Sequence, residues 1–188
     1  MITRSEALEL LKNEAINEST IKHSLAVEAA MIAYAKKYDE DEVYWGLVGL
    51  LHDIDFDKYP EEHPKKAPEI LSEYDVDENF INAIVSHGDN TGVIRDSKIR
   101  KTLYAVDQMA SFILAIALMR PTKLEGLAVK SVKKKMKDKA FAKAVNREQL
   151  VEGYEALDVE LAEHVSVIVS GLVQAEEKLS VDGMSLLS

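Results

Sequence analysis

The chain has no cysteine, and only 4 prolines and 8 glycines among 188 residues. Without thiols there can be no disulfide scaffold, thiol nucleophile, iron–sulfur cluster or cysteine zinc site, and a cytoplasmic setting fits. No uninterrupted apolar run reaches about 18 residues and no basic segment with an apolar core opens the chain, which argues against secretion and membrane spanning. The phosphate-cradling glycine loops, the Gly-x-Ser-x-Gly elbow and the His-Glu-x-x-His helix are absent as well. The acidic run Asp39–Glu42 lacks the ligand spacing of a calcium loop and reads as negative charge at a helix start.

What is present suffices for one folded domain. Hydrophobic residues make up 47% and charged residues 30%, with a net charge of −10. That charge is uneven: residues 91–147 hold 14 Lys and Arg against 4 Asp and Glu, so a positive segment sits in an acidic chain. Lys133, Lys134, Lys135, Lys137 and Lys139 read either as a solvated helix face or as part of an attractor for an anionic ligand. Little aromatic interleaving accompanies these lysines beyond Phe141, which argues against nucleic acid.

Apolar spacing is helical almost throughout. Helices are predicted from about residue 5, over 19–38, 43–54, 65–73, 77–86, 97–119, 124–137, 147–156 and 159–178. Residues 55–68, with Pro60, Pro64 and Pro68, read as a structured loop. Val165–Val169 is β-branched, but Leu161, Val165, Ile168 and Leu172 keep helical spacing. The expectation is an all-α fold, a single helical domain over 1–180 with C-terminal helices within 123–178 and a flexible tail at 181–188.

Three placements ask for chemistry. The most apolar segment, Trp45–Ile54, ends with His52 and Asp53 side by side, and neighbouring helical residues converge only on something at the helix end. Asp107 interrupts the apolar stretch Leu103–Met119, where an unpaired carboxylate would cost several kcal/mol. His23 lies on the apolar stripe of its own helix. Each alone reads as a satisfied core residue. Together, two imidazoles and two carboxylates without a thiolate suit an octahedral divalent ion: Mn, Fe, Mg, Co, Ni or Zn.

The order His23, His52-Asp53, Asp107, with Leu-Val-Gly-Leu-Leu-His-Asp-Ile at 47–54, resembles the HD superfamily of metal-dependent phosphohydrolases, HDIG type, over about residues 20–115. The resemblance implies a helical bundle with one or two divalent ions. His23, His52, Asp53 and Asp107 would hold the first; His63 and His87 would hold the second, with Asp53 bridging. His164 falls outside the pattern and is expected to be structural. Many relatives carry Lys or Glu three residues after the paired Asp, whereas Phe56 stands here. Asp53, Asp55 and Lys58 are therefore the candidate catalytic groups.

The implied activity is hydrolysis of a phosphate ester or nucleotide by metal-activated water. Candidate substrate-binding cations are Arg95, Lys98, Arg100, Arg120, Lys130 and Lys133. The expected partner is a small phosphorylated substrate, with neither membrane nor nucleic acid; a homodimer is left open. Two alternatives stand beside it: a non-catalytic metal- or nucleotide-binding regulator on the same scaffold, and a di-iron, oxygen-activating relative.

Overall fold

The computed structural model describes residues 1–181 and 183–187, which form nine α-helices and no strand. These are α1 (Arg4–Glu14), α2 (Glu18–Tyr38), α3 (Glu42–Leu51), α4 (Ala67–Leu71), α5 (Glu78–Val85), α6 (Lys98–Leu118), α7 (Val129–Met136), α8 (Arg147–Ala156) and α9 (Leu161–Val181). Four helix starts carry short polar caps. Thr3 and Glu6 form a capping box on α1. Asp41, Asp77 and Asn146 accept the first free amides of α3, α5 and α8. The start of α2 is held from a distance: Asp57 accepts the amides of Ile16 and Asn17 and the Thr20 hydroxyl, tying the loop after α3 to α2.

Helix α3 is buried from Trp45 to Leu51 and lies against α2, which also packs on α6 and α9. Close approach of α2 and α3 needs Gly49. A Cβ there would come within 2.9 Å of the Val27 carbonyl and 3.0 Å of the Glu28 Cα. One continuous apolar core runs through the bundle, from Ile2 to Leu186, and its largest fully buried side chains include Tyr34, Phe80, Phe112 and Met31. By length and composition α6 could cross a membrane, but it is mostly buried among the other helices.

Several boundaries differ from the periodicity. The helix expected over 124–137 begins only at Val129, because residues 121–126 form turns with Lys123 and Gly126 at positive φ. The Arg120 guanidinium holds that turn by donating to the carbonyls of Lys123 and Glu125. Helix α4 is shorter than the expected 65–73, the preceding residues being a run of turns. At the C-terminal end, Val181 closes α9 and residues 183–187 lie back against it. The Glu176 carboxylate accepts the Ser185 hydroxyl and the Leu186 amide, and Leu186 is buried. Residues 182 and 188 lie outside the described residues. Val165–Val169 is helical, with Val165 and Ile168 facing the core.

Candidate metal centre

Five segments carry the site. His23 lies on α2, His52 caps the C-terminus of α3 with Asp53 next to it, and Asp107 is nearly buried on α6. His63 comes from the turns after α3, and His87 follows the end of α5. The last two meet because Gly88 lets its loop lie directly on Pro64: a Cβ at 88 would fall 2.6 Å from the proline Cδ.

Every one of these rings is tethered through Nδ1. His52 donates to the Gly49 carbonyl at 2.8 Å and His87 to the Ile84 carbonyl at 2.6 Å. Asp55, fully buried, takes the Nδ1–H of His63 at 2.7 Å, and the Ser111 hydroxyl pairs with Nδ1 of His23 at 2.7 Å. A proton fixed on Nδ1 leaves the Nε2 lone pair free, which is the state a metal needs.

The Nε2 atoms converge. Those of His23 and His52 are 3.1 Å apart, as are those of His63 and His87. Between the pairs sits Asp53, with Oδ2 3.3 Å from His23, and Oδ1 3.3 Å from His52 and 3.4 Å from both His63 and His87. Asp107 Oδ1 adds contacts of 3.2 Å to His23 and 3.8 Å to His52. Two bare Nε2 lone pairs facing at 3.1 Å repel unless a proton or a metal ion lies between them. Neighbouring ligands around an ion at roughly 2.1 Å are about 3 Å apart, so the donor set fits divalent ions. The tightest groupings, within 4.8 Å, are His23/His52/Asp107 and His52/Asp53/His87, and His63 joins through His87 and Asp53.

Electrostatics point the same way. Burial alone would lower the His23 pKa, but its bonds to Asp107 and Asp53 outweigh this and raise it to about 9. Burial likewise opposes protonation of His52, while the charge of Asp53 and a bond to Asp107 push its pKa well above the usual value. For Asp53 and Asp107 burial favours the neutral acid, yet the imidazoles hold both well below the carboxylate range. The centre is thus an anionic pocket that demands positive charge, from protons or from metal.

Other expected residues are placed elsewhere. Asp55 does not face the cleft; besides orienting His63 it accepts the amides of Lys66 and Ala67 at the start of α4. Lys58 pairs with Glu14 at 2.8 Å, away from the cluster. Arg95 is folded behind His87, donating to the carbonyls of Ser86 and His87 and stacking 3.8 Å over the Tyr104 ring. Arg120 closes the loop after α6, Lys98 reaches Glu40, and Arg100 binds Asp96 and the Ile94 carbonyl. Lys130 and Lys133 are exposed on α7, and neither lines the cleft. Ser111 was not singled out from the sequence, although it lies one helical turn after Asp107, where a same-face partner belongs. His164 is buried on α9, bonded to Tyr34 and to the Ala105 carbonyl, and takes no part in the cluster.

A cleft of about 720 Å³ opens over the cluster, and its lining includes Phe56, Pro64, Ala144, Val145 and Gln149. A cavity of similar size, about 730 Å³, lies between α2 and α9, but its buried carboxylate, Glu28, is already held by Arg4 through two bonds.

In comparisons with known proteins, residues 20–111 match the family model of the HD domain. This segment is an HD domain. It contains all six clustered residues, and the wall formed by residues 144–149 lies beyond the match. Neither the curated proteins nor the solved structures returned a significant match.

Proposed function

We propose that this protein is a metal-dependent phosphohydrolase acting on a small phosphate ester, in a cytoplasmic setting. The observation that carries it is the set of four histidines with Nδ1 tethered and Nε2 turned onto Asp53 and Asp107, at the floor of an open cleft within an HD domain. His23, His52, Asp53 and Asp107 would hold one divalent ion, and His63 and His87 a second, with Asp53 shared. When bound, such ions lower the pKa of water and neutralise phosphate charge.

The chain's own groups supply the rest. The Nδ1 tethers keep the Nε2 atoms aimed at one point, so the rings need little reorientation on binding. Asp53, reaching both histidine pairs, fixes their relative position. Asp55 acts as a positioning residue for His63. Gln108 and Ser111 lie at the cleft wall, where amide and hydroxyl donors can meet phosphate oxygens.

A second reading, a metal-dependent binding protein without turnover, draws support from one observation: Asp55 and Lys58 are both engaged away from the cleft, so neither serves there as acid or base. The deciding experiment is metal analysis combined with phosphate release across a panel of phosphomonoesters and nucleotides. Two ions per chain and metal-dependent release are expected. His52→Ala and Asp107→Ala should abolish release while far-ultraviolet circular dichroism keeps its helical signal. Unchanged turnover in either variant overturns the assignment, and ligand binding without release selects the second reading.

A further inference from the structure

The cleft lacks the groups that usually neutralise phosphate. Among the described residues no Lys or Arg lines it, and its acidic side chains are Asp53, Asp107 and Asp89, the last already paired with Arg95 at 2.6 Å. The remaining polar lining is uncharged: Ser19, Thr20, Asn90, Gln108, Ser111 and Gln149. Phe56 is 45% exposed at the rim, its ring edge-on to His63 with centroids 5.3 Å apart. Phe56 stands three residues after Asp53, and it offers a flat apolar face rather than a charge.

Charge then selects the ligand. Two divalent ions bring about four positive charges, and Asp53 and Asp107 cancel about two of them. About two remain, which matches one phosphate monoester carrying −1.5 to −2 at roughly neutral pH. A second phosphate would enter the same cleft with no Lys or Arg to meet it, and each oxygen it loses from water there goes uncompensated. The 14 basic residues of 91–147 do not help, since Arg95 and Arg120 are bonded to backbone carbonyls and the α7 lysines lie outside the cleft.

We infer that the cleft is specific for a singly phosphorylated ester of an uncharged, hydroxyl-bearing alcohol with a planar ring, a nucleoside monophosphate in chemical class, and discriminates against di- and triphosphates. This rests on the phosphohydrolase reading above. The phosphate lies over the histidine cluster beside Gln108 and Ser111, the remaining amides and hydroxyls meet the sugar, and Phe56 stacks on the ring. Ala144, Val145 and Gln149 complete the lining from the C-terminal part of the chain.

The test uses the metal-loaded full chain with AMP, ADP, ATP and glycerol phosphate. It adds calorimetric binding of the non-hydrolysable methylphosphonate analogue of AMP and of α,β-methylene-ADP. We expect kcat/KM for AMP at least tenfold above that for ADP and ATP, and at least tenfold tighter binding of the monophosphonate. Phe56→Ala should raise KM for AMP about tenfold, the scale of one ring stacking contact, and reduce the preference for AMP over glycerol phosphate. Phosphate release from ADP or ATP equal to that from AMP, or equal binding of the two analogues, overturns the inference while leaving the phosphohydrolase reading intact. An unchanged AMP preference in Phe56→Ala overturns the stacking role. No release from any of the four substrates overturns the underlying reading, and the inference falls with it.

Discussion

Each histidine of the centre is bound to the scaffold through one nitrogen and turned into the cluster with the other, and the identity of the tether sets how firmly it is aimed. His52 and His87 are held by helix-end carbonyls, which no side-chain substitution removes. His63 depends on Asp55, whose two oxygens also serve the amides that open α4. Asp55→Asn keeps the shape and removes the charge, so it should weaken metal binding at the His63/His87 position by about 10–100-fold. Metal analysis after dialysis should then fall from two ions per chain towards one. Retention of both ions at unchanged affinity would refute the positioning role.

Between elements, the decisive contact is α2 against α3. Gly49→Ala would press a methyl group onto the Val27 carbonyl and the Glu28 Cα, which are backbone atoms and cannot rotate away. Overpacking of this kind costs about 1–3 kcal/mol. Because the Gly49 carbonyl also tethers His52, metal content should drop together with the denaturation midpoint.

Helix α9 is joined to the bundle through His164, which donates to the Ala105 carbonyl at 3.1 Å and bonds the Tyr34 hydroxyl. Burial lowers its pKa to about 4, with the Ala105 bond opposing. Above about pH 6.5 the ring is neutral in folded and unfolded chains alike, so His164 adds no pH dependence there. As pH falls from about 6.5 towards 4, only the unfolded chain takes up the proton, and stability is lost, by about 3 kcal/mol in all. Urea denaturation of His164→Gln beside the parent chain should show a shallower decline over this window. Parallel declines would remove His164 as the cause.

In the molecule as a whole, the proposed ions would bridge α2, the end of α3, the following turns, the segment after α5, and α6. Ligands that bind only the folded state stabilise it by mass action, about 2.7 kcal/mol at a hundredfold excess over Kd. For a chain of this size that corresponds to a Tm rise of roughly 5–10 °C. Differential scanning calorimetry with and without a chelator should show it, and His52→Ala should show none. A chelator-insensitive Tm in the parent chain would contradict the proposed metal bridge.

Much of this architecture is legible in residue order because it depends on local spacing. A helical repeat of 3.6 places Leu161, Val165, Ile168 and Leu172 on one face whatever lies opposite, and they are buried in α9 as that spacing requires. The apolar helix ending in His52-Asp53 and the carboxylate within the apolar Leu103–Met119 stretch mark the centre for the same reason: burial makes a polar group conspicuous. Residues in the connecting turns carry no such mark. Asp55 and Lys58 look alike as polar neighbours of the site, yet one is buried beneath His63 and the other pairs with Glu14 at the surface. The positive segment counts as one feature along the chain, but folding disperses it. Arg95 turns to backbone carbonyls behind His87, the lysines of α7 face solvent, and Ala144, Val145 and Gln149 of the same region reach the cleft instead. Composition fixes how much charge the chain carries, whereas the path of its turns sets which charges a phosphate can meet.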